Sequence, residues 1–170
     1  MGKFLSIHDI YPTVGNDCWF APNAYLIGDV KMGDECTVWF NAVVRGDVNS
    51  IRIGNKVNIQ DQAVIHCTYK KYDVKIGDNV SIGHGAIVHG CEIKDNVLIG
   101  MGAIVMDGAV INKGAVIGAG AVVLANTNVE EGAVYVGNPA RKIKDGGEKM
   151  KELIQRTADN YPMYASWFKD

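Results

Sequence analysis

From residue 93 onward every sixth side chain is a hydrophobe: Ile93, Ile99, Val105, Ile111, Ile117, Val123, Val129 and then Tyr135. A period of six matches neither the 3.6 of a helix nor the simple alternation of a hairpin meander. Four residues after each anchor stands a small residue, in turn Val97, Ala103, Ala109, Ala115, Ala121, Thr127 and Ala133, with glycines in the flanking turns. Short β-prone runs broken at fixed intervals by Gly, Asn and Asp force the chain round frequent corners. Three hexads close one triangular coil, whose anchors point inward while the small residues let the chain turn, so the pattern predicts a mainly β fold, a parallel β-helix. Successive coils stack at about 4.8 Å and bury their faces on one another. The rhythm continues backward through Ile76, Ile82 and Val88, through Ile53, Ile59 and Ile65, and more raggedly through Met32, Val38 and Val44, so the repeat covers roughly residues 27 to 137.

After Gly137-Asn138-Pro139-Ala140 the hexads stop. Met150, Leu153, Ile154 and Thr157 then recur at helical spacing behind Gly146-Gly147, which predicts a C-terminal α-helix ending near Pro162 and lying along the prism. Tyr161, Tyr164, Trp167 and Phe168 are its expected packing residues. The expected division is a β-helix domain over 1–140 and the helical segment over 141–170.

Seventeen basic and nineteen acidic side chains leave a formal charge of −2, with no block of like charge. That argues against nucleic acid or an anionic membrane as partner. No run reaches the roughly 18 apolar residues of a membrane span, and the first fifteen lack a signal peptide's apolar stretch, so a soluble, cytoplasmic protein is expected. Cys18, Cys36, Cys67 and Cys91 show no C-x-x-C spacing and are expected as reduced thiols.

Three of the four histidines, His66, His84 and His89, fall within a single 24-residue window of the repeat. Ile65 and Val88 are one coil apart once an insertion at Tyr69 to Asp73 is treated as a corner loop. His66 and His89 each follow one of these anchors, so both point outward from one face, stacked about 5 Å apart. His84 lies two residues after Ile82, in a different phase, and cannot easily reach the same ion. A neighbouring copy related by three-fold symmetry could supply it. Three neutral imidazoles with an open position for water suit Zn²⁺, and also admit Fe²⁺ or Co²⁺. Cys67 and Cys91 could compete as ligands, but a residue next to an outward histidine in a strand faces the other way.

The stretch WFNAVVRGDVNSIRIGNKVNIQDQAVIH, followed by SIGHGAIVHGC, resembles the γ-class carbonic anhydrase family over nearly the whole chain. The resemblance implies a left-handed β-helix in a homotrimer, although parallel crossovers in general are right-handed. It assigns His66 and His89 of one subunit and His84 of the next as metal ligands. It pairs Arg45 with Asp47 across the trimer interface, and matches Gln60 and Asp61 to the family's Gln-Asp pair, the glutamine orienting the reactive water. The implied reaction is attack of a zinc or iron hydroxide on CO₂ to give bicarbonate, with the pKa of bound water lowered to about 7. Where some members carry a glutamate after Arg-x-Asp and a long acidic loop, this chain has Val48 and the short Lys70-Lys71-Tyr72-Asp73. Tyr161 best matches the tyrosine that other members bring from the C-terminal helix toward the metal. Two other functions share this scaffold: an acyl-coenzyme A transferase or thioesterase with a histidine base, and a non-catalytic trimer fastened by metal.

Overall fold

Anchors six residues apart do stack into three faces in the computed structural model, which describes residues 2–168. On the first face Leu26, Val44, Ile65, Val88, Val105 and Val123 lie in register on adjacent parallel strands. The second face stacks Met32, Ile53, Ile76, Ile93, Ile111 and Val129. The third stacks Phe20, Val38, Ile59, Ile82, Ile99, Ile117 and Tyr135. Almost all of these, with the corner alanines, are wholly buried in one continuous core. Each buried Ile or Val contributes roughly 1.5–3 kcal/mol of hydrophobic stabilisation, which is what holds a solenoid of two-residue strands together.

The solenoid starts earlier than the hexads show, because Lys3–Leu5 pairs in parallel with Tyr25, Leu26 and Ile27. It also ends differently. Residues 141–145, expected with the helical segment, form the strand Arg141–Asp145, which runs antiparallel to Ala133–Val136 on the third face. Its side chains are exposed and mostly charged, so no apolar periodicity announces it.

The helix runs from Gly147 to Ser166 and passes through Pro162, four residues beyond the expected end. Proline inside a helix costs about 3 kcal/mol. Opposing this, the last turns bury Ala165 and set Tyr161 edge-on to Trp39, with ring centroids 5.3 Å apart. Phe168 packs on Trp19 and Phe40, whereas Trp167 stays exposed. Ile154 packs against Val116 and Val134, placing the helix over the third face.

Between the faces run three edges. On the edge joining the second and third faces, Asp34, Asn55, Asp78 and Asp95 form a ladder, each side chain accepting the backbone N–H of Asn16, Asp34, Asn55 and Asp78 respectively at 2.7–3.0 Å. The edge joining the first and second faces is irregular. It carries three extra residues around Asp47 to Ser50 and five around Thr68 to Asp73, and is one short at Gly90.

Candidate metal centre

His66 and His89 end the strands Val64–His66 and Ile87–His89, which pair with the two histidines in register. Ile65 and Val88 beside them are buried, so strand alternation turns both imidazoles outward on the irregular edge. His66 Nδ1 stands 3.0 Å from His89 Nε2. Two imidazole nitrogens bound tetrahedrally to zinc at about 2.0–2.1 Å lie about 3.3 Å apart, so the pair needs only a few tenths of an ångström to share an ion.

Each ring is held on its far side by a carboxylate. His66 Nε2 is 3.0 Å from Asp47 Oδ1, and His89 Nδ1 is 2.6 Å from Asp107 Oδ1. Asp107 in turn accepts the Thr68 hydroxyl at 2.8 Å. The irregularities of the edge make these contacts possible. The extra residues release Asp47 from the strand register toward His66. Gly90 has φ +53°, and a Cβ there would collide with Asp107 Oδ1 and with Tyr72 Cβ. Arg45 stacks in register with His66 and bonds Asp47 of its own chain.

The electrostatics favour a neutral His66 and anionic Asp47 and Asp107. Burial lowers the His66 pKa, against the opposing pull of Asp47. Burial alone would raise Asp47 and Asp107, yet hydrogen bonds from His66 and Arg45, and from His89 and Thr68, hold both carboxyls below the ordinary range. Neutral imidazole is the metal-binding form. Cys67 and Cys91 are almost fully buried behind the histidines, and burial pushes both thiols up to about 12. Both are turned inward, away from the outward imidazoles.

The remaining predicted residues gather elsewhere. His84 occupies the turn Gly83-His84-Gly85 on the edge joining the third and first faces. Its Nδ1 is 2.8 Å from Asp61 Oδ2, and its backbone N–H donates to Gln60 Oε1 at 3.2 Å. Gln60 is 5% exposed, and its Nε2 donates to Asn58. Burial, followed by the charge of Asp61 and then Tyr164, raises Tyr161 to about 12. Gln60, Asp61, His84 and Tyr161 thus form one group, while Arg45, Asp47, His66 and His89 form another across the first face. Among the described residues no three His, Cys, Asp or Glu side chains of a single chain converge as a metal site. Sequence reasoning missed Thr68 and Asp107. Coil counting could have found Asp107, because Val105 stacks on Val88 and therefore residue 107 lies over residue 90.

Stacked six-residue turns define a hexapeptide-repeat β-solenoid, and one of its edges carries an outward imidazole pair. The family model described as "Bacterial transferase hexapeptide (six repeats)" matches residues 11–46 and 90–125. A structure titled as a hexapeptide transferase family protein from Anaplasma phagocytophilum superposes with a TM-score of 0.92 at 34% identity, covering 97% of each chain. "Probable carbonic anhydrase" of Methanocaldococcus jannaschii is 49% identical over 83% of this chain and 88% of its own. "Gamma carbonic anhydrase 1, mitochondrial" of Arabidopsis thaliana is 40% identical over 92% of this chain, which spans 59% of that relative's length. The chain belongs to the γ-class carbonic anhydrase family.

Proposed function

We propose that the protein is a γ-class carbonic anhydrase, hydrating CO₂ to bicarbonate and a proton at metal sites between the subunits of a left-handed homotrimer. The observation that carries this reading is the His66–His89 pair, whose facing nitrogens are 3.0 Å apart while carboxylates hold the opposite ring atoms. The third ligand is His84 of a neighbouring copy.

The first face supports the trimer. Its outward column of Tyr25, Val43, Val64, Ile87, Ile104 and Val122 is apolar and partly exposed, and one edge of that face carries His66 and His89 while the other carries His84. The third face is covered by the helix, and the second presents Lys31, Arg52, Lys75 and Glu92 to solvent. A three-fold ring closed through the first face brings the two half-sites together.

Bound Zn²⁺, or Fe²⁺ or Co²⁺ on the same donors, supplies the Lewis acidity that lowers the pKa of water to about 7. His66 and His89 would hold the ion through their facing ring nitrogens. Gln60 fixes the His84 backbone through Oε1, and one Nε2 hydrogen beyond that given to Asn58 is free to orient the attacking oxygen. With a pKa of about 12, Tyr161 keeps its proton at neutral pH and serves as a donor, not a base. Val48, Lys70 and Lys71 offer no carboxylate to export the product proton. External buffer carries that proton, so turnover is expected to rise severalfold with buffer concentration at fixed pH. Four free thiols fit a reducing compartment such as the cytoplasm.

The test is anaerobic purification, metal analysis and a CO₂ hydration assay on wild type and His84→Ala. Loss of metal in His84→Ala, although His66 and His89 are intact, is expected. Hydration absent in both zinc and iron forms of verified metal content would sink the proposal. The His84–Asp61 pair, at 2.8 Å, favours a second reading, in which a histidine base deprotonates an acyl acceptor on an acyl-coenzyme A enzyme. That chemistry needs no metal, so coenzyme A ester turnover by metal-free protein would support it.

A further inference from the structure

We infer that Asp107, seated by Thr68, is a positioning residue that fixes which nitrogen His89 offers to the metal. The inference rests on the metal-site reading above and adds residues to it. Asp107 Oδ1 lies 2.6 Å from His89 Nδ1, which makes Nδ1 the protonated nitrogen and leaves Nε2 with its lone pair toward His66. The other carboxylate oxygen accepts the Thr68 hydroxyl at 2.8 Å, so the carboxylate cannot rotate away without losing a second bond. A carboxylate behind a ligating histidine selects its tautomer and ring orientation, and removing such a partner lowers metal affinity by about 10- to 100-fold.

Three features of the edge serve this contact. Gly90 leaves the space that Asp107 fills, since any Cβ there would strike its Oδ1. Thr68 opens the five-residue insertion, which folds back through the Thr68–Tyr72 bridge. Tyr72 then lies along the edge against Gly90 and Gly108, reaching Asn126. The insertion is thus a brace for a ligand's partner. His66 is served differently, by Asp47 and Arg45, so the two ligands of one chain have separate supports.

The test compares wild type with Asp107→Ala, Asp107→Asn and Thr68→Val. In metal-free protein, imidazole nitrogen chemical shifts should report a single Nδ1–H form of His89 in wild type and a mixture in Asp107→Ala. Zinc titration should show about 10- to 100-fold weaker binding in Asp107→Ala at unchanged stoichiometry. Asp107→Asn keeps an acceptor oxygen and should recover much of both signals. Thr68→Val removes only the second bond and should weaken binding by about threefold to tenfold; it carries the comparison should Asp107→Ala fail to fold. Zinc binding within about twofold of wild type in both variants, or an unchanged His89 tautomer in Asp107→Ala, overturns the inference. Wild type that binds no metal overturns the metal-site reading instead, and the tautomer measurement still decides the role of Asp107.

Discussion

Asp78 and Asp107 sit on different edges of the prism, and each lies over a glycine of the preceding coil, Gly54 and Gly90. The first accepts the backbone N–H of Asn55, and the second an imidazole N–H. Their surroundings differ by one position. In Ile53-Gly54 the glycine follows the buried anchor directly, so only backbone is within reach. In Val88-His89-Gly90 an outward residue intervenes, and the carboxylate bonds to it. The same side chain is a structural cap where the hexads are regular and a support for an imidazole where they are not.

The sharpest way to break this contrast is to remove a ligand. His66→Ala should lower metal affinity by more than the about 100-fold that a supporting carboxylate accounts for, and abolish CO₂ hydration. The metal-free melting temperature should move by no more than about 4 °C, because the ring, although largely covered, lies outside the apolar core. Both edges share one core, so Ile82→Ala should cost about 2–5 kcal/mol by urea unfolding and weaken every coil. Between these falls Asp78→Ala, expected to cost about 1 kcal/mol while zinc binding stays at the wild-type value. A change in metal affinity there would show that the ladder and the metal edge are coupled.

The smallest effect concerns the helix. Lys56 Nζ is 2.5 Å from Asp159 Oδ1, and this hydrogen bond holds the Asp159 carboxyl below its ordinary range. A depressed carboxyl contributes stability above the unfolded pKa, and that contribution is lost as pH falls through the folded value. Asp159 is about half exposed, so Asp159→Asn should cost under about 0.5 kcal/mol at neutral pH, with the difference from wild type vanishing in acid.

How much could be read in advance follows from what repeats. Anchors at six-residue intervals gave the three faces, the core and the outward direction of His66 and His89, because inward and outward alternate along a strand. The placement of His84 on another edge followed from the same phase argument. What was not legible depends on departures from the period. Asp107 reaches His89 only because residue 90 is a glycine in a coil one residue short. Arg141–Asp145 is a strand made of charged and exposed residues, with no periodicity to reveal it. The helix beyond Pro162 is held by aromatic contacts to Trp19, Trp39 and Phe40, residues more than a hundred positions away.

That last strand has a consequence at the scale of the whole particle. A stack of parallel coils ends in a row of unsatisfied backbone groups, onto which the first coil of another molecule could add, and another after it. Arg141–Asp145 occupies part of that row in the opposite direction and turns four charged side chains outward. An incoming coil meets a reversed hydrogen-bond pattern and a charged rim, so on this face the repeat terminates in a single molecule instead of growing into a fibre.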